Sequence, residues 1–566
     1  MRFTDIFAGF TAIASSTLVA AVPFSGTSDL RVRQSSNCQF NSSTDPSCWG
    51  QYSLSTNWYD EGPDTGVIRE YWFEVVNKTL APDGVPRMTL SINGSIPGPA
   101  IEADWGDTVV VHVKNSLQNN GTSIHWHGIR QKGSVDQDGV ASVTQCPVAP
   151  GESITYTWKA EQYGTTWYHS HFSLQAWNGV FGPIVIRGPA SAPYDEDKGP
   201  IVLSDWLHQT TDSLYDAAST GGPPKQSNGL INGLNVYQSG GSRFKTNFAS
   251  GKSYRLRLVN TAIDTMFRFS IDNHTLTVIS ADLVPIVPFQ TNTINVAIGQ
   301  RYDVIVTANQ KPGNYWMRST PQLTCSSNEN TLNIKGIVTY DDIAVADPDT
   351  AAYPYNDNCD DQPANTLVPA LALDAGKATV TAVEELALAT VNGFFKWTLN
   401  NNTFLSEWGQ PTLEKVLTPG SVYTPDENIV SLNETNDWTY LVIESQLGLQ
   451  HPVHLHGHDF YLLGQQPMAN FTDASQLNLV SPPRRDVAVL PANGFVAIGF
   501  KNDNPGTWLL HCHIGWHTSQ GFALQLVERE SEISGAVKDK TVLDDTCTAW
   551  NNYQTSSDLV QTDSGI

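Results

Sequence analysis

The chain has 566 residues, of which 40% are apolar and 16% charged; 32 Lys+Arg stand against 56 Asp+Glu, a formal net charge of −24. At roughly 150 residues per domain, the length predicts about three or four domains with ample core. The acidic balance excludes a general nucleic-acid binder and argues against docking on anionic lipid, and seven cysteines leave at least one that cannot pair within the chain.

From the N-terminus, an apolar run over Ile6–Ala21 follows Arg2 and ends in Val19-Ala20-Ala21. This pattern predicts a secretory signal peptide over 1–21, hence a secreted, extracellular protein. No second apolar run reaches the ~18 residues of a membrane span. A polar stretch ending Arg31-Val32-Arg33 reads as a pro-segment over 22–33, with a mature start near Gln34. Secretion permits disulfides. It also gives meaning to the sequons at Asn41, Asn77, Asn93, Asn120, Asn273, Asn401, Asn433 and Asn470, which predict a glycoprotein.

Beyond that point strand signals dominate. Thr108–Val113, Ser153–Trp158, Tyr254–Val259, Tyr302–Val306, Thr439–Ile443 and Phe495–Phe500 are rich in β-branched or alternating residues, with Gly, Pro, Asn and Asp turns between them. Long segments of helical period are scarce. An all-β chain of several sandwiches or barrels is expected. Seams at Gly188–Pro193 and at about Asp341–Pro369 divide it into domains over 34–190, 191–365 and 366–566.

The chemistry lies in the histidines. Eleven of fourteen fall in four clusters: His125-Trp126-His127, His169-Ser170-His171, His451-Pro452-Val453-His454-Leu455-His456-Gly457-His458, and His511-Cys512-His513 with His517. Strand side chains alternate faces, so histidines at i and i+2 form a two-pronged fork while the residue between them faces away. In His511-Cys512-His513 the two imidazoles therefore address one site and the sulfur the opposite one. A cysteine with two histidines is the ligand set of a blue-copper electron-transfer site, and Cys512, His517 and His451 are candidates for it. The remaining eight imidazoles, His125, His127, His169, His171, His454, His456, His511 and His513, suffice for three further copper ions. Structural zinc, which closes with four ligands that are usually cysteine-rich, fits poorly. His112, His208 and His274 are isolated and read as structural or surface residues. His458 is read as a non-ligand, and Trp126 and Trp516 as packing walls.

These clusters resemble the copper signatures of the multicopper oxidases, and among them the laccases. Asp138-Gly139-Val140-Ala141 with Gln145-Cys146-Pro147, Ser481-Pro482-Pro483-Arg484-Arg485-Asp486 and the final Asp563-Ser564-Gly565-Ile566 resemble the ascomycete type. The resemblance implies three consecutive cupredoxin-like Greek-key β-barrel domains and four copper ions. It assigns His451, Cys512 and His517 to a type 1 copper, and His125 and His454 to type 2. His127, His169 and His513 go to one type 3 copper, and His171, His456 and His511 to its partner. The axial type 1 position falls at Phe522, where ascomycete-type laccases usually carry Leu and where ascorbate and bilirubin oxidases carry Met. The implied reaction is one-electron oxidation of phenols with reduction of O₂ to water. Asp264 is then the base that takes the phenol proton, and Asp138 an acid near the trinuclear cluster. Asp486 is a weaker candidate on the type 1 side.

With Cys512 on copper, six cysteines remain, with 15 pairings open. The resemblance supports Cys38–Cys48, Cys325–Cys359 and Cys146–Cys547. It also implies that Asp563–Ile566 is a tail that plugs the channel to the trinuclear cluster. A metallo-oxidase acting on Fe(II) or Cu(I) is the alternative enzyme, but the five Met are unclustered, which disfavours a cuprous oxidase. A copper-storage protein is the non-enzyme alternative. The expected partners are small phenols, from lignin fragments to pigment precursors, and O₂, with a monomer as the default state.

Overall fold

The computed structural model describes residues 45–433, 437–557 and 559–566. The signal peptide, the pro-segment, Cys38 and Asn41 lie outside these residues. The architecture is all-β, as expected. Six large sheets come in three consecutive pairs.

The first pair has four strands in each sheet. One sheet is ordered Arg87–Ile92, Ile68–Leu80, Thr108–Asn115, Ser153–Lys159; the other is ordered Ile101–Asp104, Phe181–Arg187, Gly164–Ser170, Ile124–His127. The second and third pairs each join a six-stranded to a five-stranded sheet. All six strand signals read from the sequence lie inside observed strands. The alternation Val109, Val111, Val113 explains the first of them: all three are buried, while Val110 and His112 between them are half-buried.

The strands that carry the histidine clusters depart from alternation, Ile124–His127 among them. Gly164–Ser170, His451–Leu455 and Gly506–Cys512 are buried at every residue. Every position is therefore shielded from water, and polar side chains there need partners.

Two antiparallel ladders place the forks. His125 pairs with His169 across the first, and His454 with His511 across the second. In the same register Val453 lies opposite Cys512, which puts the sulfur on the other face from His511.

Two helices had no clear sequence signal, Thr211–Gly221 and Lys540–Ser557. The second buries Leu543, Cys547 and Trp550 at i, i+4 and i+7, a helical stripe hidden in a polar segment. It carries one end of a disulfide, Cys146–Cys547, across 401 residues. Cys325–Cys359 closes a second, and Cys48 is disulfide-bonded. Among the described residues Cys512 is the free cysteine, and it is buried. No described helix is long and apolar enough to cross a membrane.

Candidate metal centres

The eleven predicted ligands gather in two places. At the first, Cys512 Sγ lies 3.8 Å from His451 Nδ1 and 3.7 Å from His517 Nδ1, and the two ring nitrogens are 3.2 Å apart. Burial pushes the Cys512 thiol far up, with the charge of Asp264 adding to it. A cation is what would draw such a thiol into its thiolate. Burial also pulls His451 down to about 3, so its ring stays neutral and keeps one nitrogen lone pair free. Phe522 is fully buried, its ring 5.3 Å from that of His451, and Trp397 packs 4.3 Å from His517. The surroundings are thus apolar and dry.

At the second place eight imidazoles converge from the first and third sheet pairs. His127 stacks on His454 at 3.8 Å, and His125 lies on His456 at 3.9 Å. Donor atoms fall within 4.8 Å of one another in the sets His125/His127/His454, His127/His169/His513 and His171/His456/His511. The polarity of the rings decides what such a cluster can hold. The Nδ1 of His125 meets the Asp138 carbonyl at 2.9 Å, that of His454 the Asp486 carbonyl at 2.8 Å, and that of His511 the Cys512 carbonyl at 2.9 Å. A carbonyl only accepts, so each Nδ1 carries the hydrogen and each Nε2 keeps its lone pair. Those Nε2 atoms, with the Nε2 of His169 and His456, both ring nitrogens of His171 and Nδ1 of His513, are buried without a protein partner. Orphaned ring nitrogens converging from seven of the eight rings fit cations and fit little else. Burial pulls His511 to about 4 and His127, His169, His171, His454, His456 and His513 well below their ordinary range, so like-charge repulsion is avoided.

Asp138 is fully buried between the two halves of this cluster. Its Oδ2 accepts from His456 Nδ1 at 2.9 Å, and Oδ1 lies 3.2 Å from His125 Nδ1. Asp486 requires a correction. It was expected on the cysteine side, but its Oδ1 lies 3.1 Å from His127 Nε2, inside the eight-ring cluster. The turn after Arg485 bends its side chain inward between two sheet pairs, which a linear reading cannot show.

Asp264 lies on the cysteine side and is 5% exposed. Burial, then the charge of Asp205, pushes it up to about 8. Asp205 was missed in the sequence. Its carboxylate accepts the backbone N–H groups of Ile263, Asp264 and Thr265 at 2.9, 3.0 and 3.1 Å and so fixes the loop. The Ile263 carbonyl accepts from Gly515 N at 3.0 Å and docks that loop on the turn between Cys512 and His517. His458 faces away from the cluster, 3.1 Å from Glu528, and His112, His208 and His274 are partnered by Glu70, Asp83 and Tyr340. Trp126 and Trp516 are fully buried.

The C-terminal residues are buried beside the cluster. Ile566 packs with Val140, Leu509 and Ala523, the Gly565 carbonyl accepts from Ser142 Oγ at 2.7 Å, and Ser564 N donates to Ser519 at 3.0 Å. Val140 is two residues from Asp138, and Leu509 two from His511. Removing residues 563–566 is therefore expected to change the apparent KM for O₂ by severalfold and to cost about 2–3 kcal/mol for the lost Ile566 burial. Steady-state O₂ uptake by the truncated protein checks this, and unchanged kinetics would mark the segment as a plain terminus.

Multicopper oxidase family models match residues 74–191, 197–342 and 388–532. Laccase-2 of Botryotinia fuckeliana is 49% identical over the whole of both chains, and Laccase-1 of the same fungus is 46% identical over 99% of this chain and all of the relative. The crystal structure of a laccase from Botrytis aclada superposes with a TM-score of 0.90 at 49% identity, covering 93% of this chain and 99% of that one.

Proposed function

The chain belongs to the multicopper oxidase family and has laccase function, and on that premise we propose that its two ligand clusters hold four copper ions with separate tasks. His451, Cys512 and His517 would hold one, with the Phe522 ring packed against that of His451. His125 and His454 hold a second, His127, His169 and His513 a third, and His171, His456 and His511 the fourth. The convergence of orphaned imidazole lone pairs carries this reading. Bound copper would supply one-electron oxidation of a phenol at the cysteine centre and four-electron reduction of O₂ to two waters at the imidazole centre.

The protein's own tasks follow from the geometry. Cys512 links the two centres covalently, because its backbone neighbours on both sides are ligands of the other cluster. Phe522 and Trp397 keep water from the sulfur, which favours the reduced metal and a stronger oxidant. Asp138 orients His125 and His456 together and stands where O₂ reduction consumes protons. Asp264, held by Asp205 at the cysteine side, takes the phenol proton. A phenol with a pKa of about 10 must lose that proton as it loses an electron. The protein works as a secreted glycoprotein monomer; the described sequon asparagines are exposed, apart from a half-buried Asn120, which supports glycosylation.

Asp264→Asn tests the base. The kcat/KM for a phenol should fall by about 10²-fold, within the usual range for a lost general base, while a donor that releases no proton changes less than about twofold. The sign of the pH effect is fixed. The base works ionised and burial raises its pKa, so wild-type phenol turnover rises with pH as Asp264 ionises, and the variant loses that rise. Equal losses on both donors would remove the role.

A further inference from the structure

The middle sheet pair contributes none of the eleven ligands, yet its loop Gly299–Arg301 lies against the imidazole cluster. A Cβ on Gly299 (φ +83) would come within 2.9 Å of the His513 ring. Arg301 is completely buried and grips Asp486 with both guanidinium ends, Nη1 to Oδ1 and Nη2 to Oδ2, each at 2.5 Å. The same Oδ1 accepts from His127 Nε2 at 3.1 Å. That bond places the ring hydrogen on Nε2 and leaves the Nδ1 lone pair directed at the cluster, 3.3 Å from His513 Nε2. His127 is thus turned opposite to His125, His454 and His511, and the carboxylate that turns it is fixed by Arg301.

Arg301 is itself held on three further sides. Its Nε donates to the Thr165 carbonyl at 3.2 Å, on the strand that carries His169, and its Nη1 donates to the Gly299 carbonyl at 3.1 Å and lies 3.6 Å from Asp282. Asp282 also accepts from Arg485 Nε at 3.1 Å and from the Asp486 backbone at 3.2 Å, and Arg485 reaches Asp361 at 3.1 Å. A buried row of alternating charge therefore runs from Asp361 through Arg485, Asp282, Arg301 and Asp486 to His127. The packing leaves no slack at its end. A Cβ on Gly128 (φ +78) would lie 2.5 Å from Asp486 Oδ2 and 2.7 Å from Arg301 Nη2, so only glycine fits after His127.

We propose that Arg301 is a positioning residue through which the middle domain sets the ring orientation of His127 in the imidazole centre. This rests on the copper reading above. A planar two-ended clamp is what a lysine cannot reproduce, since an ammonium is a single point donor. Groups that orient a ligand typically change metal affinity by about 10- to 100-fold when lost.

The experiment compares Arg301→Lys with Arg318→Lys in the full-length copper-loaded protein. Arg318 clamps Asp272 through two bonds, at 2.7 and 2.6 Å, in the same middle sheet pair but is not part of this row. Copper per chain after graded chelator dialysis, the blue colour of the Cys512 centre and the unfolding midpoint of the copper-stripped protein are measured. Arg301→Lys should lose copper from the imidazole centre at about 10- to 100-fold lower chelator concentration, with blue colour and midpoint retained, while Arg318→Lys retains copper as wild type does. Wild-type retention in Arg301→Lys, parallel loss from both centres, equal loss in the two variants, or failure of Arg301→Lys to fold would each overturn the proposal and leave Arg301 a structural residue. A wild-type protein without copper at the eight imidazoles would instead overturn the copper reading itself.

Discussion

Replacing Cys512 by serine is expected to lower phenol-driven O₂ uptake by at least ~10³-fold, a barrier increase of about 4 kcal/mol. The serine hydroxyl neither ionises as a thiolate nor forms the blue centre, so electrons lose their entry point. His511 and His513 keep their backbone positions, and the eight-imidazole cluster should still load. The copper-stripped variant should be destabilised by no more than about 1–3 kcal/mol, the cost of a buried hydroxyl without a partner. Optical spectra, copper content and O₂ uptake on one preparation check all of this. Retained blue colour would show that another group completes the centre.

The second large effect concerns the longest covalent constraint. Cys146 lies eight residues beyond Asp138, and Cys547 lies on the C-terminal helix. The bond spans 401 residues, so opening it releases more chain entropy than opening Cys325–Cys359, which spans 34. Cys146→Ser with Cys547→Ser should cost about 5–6 kcal/mol, against about 3–4 kcal/mol for the shorter bridge. The consequence is also local. Phe172, next to His171, packs 4.6 Å from Trp408 and 5.8 Å from Trp550 on that helix. Loosening the helix should release copper from the imidazole cluster before the blue centre fades during urea unfolding. Simultaneous loss, or equal cost for both bridges, would contradict this.

Much of this site is legible in the sequence, because the rule that builds it is local. Strand side chains alternate, so His125/His127, His169/His171, His454/His456 and His511/His513 had to be forks, and Cys512 had to face away from its neighbours. The charged groups behind the ligands follow no such rule. Asp205, Asp282 and Arg301 sit in turns or strands whose sequences would equally suit a solvated surface. Their function comes from contacts between sheet pairs far apart in the chain. Asp486 illustrates the same limit: its motif was recognisable, but its side was not. The helix over Lys540–Ser557 escaped because its apolar stripe is only three residues wide, although Leu543, Cys547 and Trp550 carry the spacing that could have revealed it.

The odd cysteine count and the acidic composition now have physical readings. Cys512 is unpaired and buried facing two imidazoles, while the other described cysteines are in disulfides. The excess carboxylates are not all surface charge. Asp138, Asp282 and Asp486 are buried and engaged at or behind the imidazole cluster.

The central claim is that one chain assembles two distinct copper centres from eleven side chains. The most direct test is the copper content of the purified protein, measured together with its electron paramagnetic resonance spectrum. Four copper ions per chain are expected, one of them giving the blue signal of a cysteine-ligated centre. A single copper per chain, or several without a blue signal, would contradict the account.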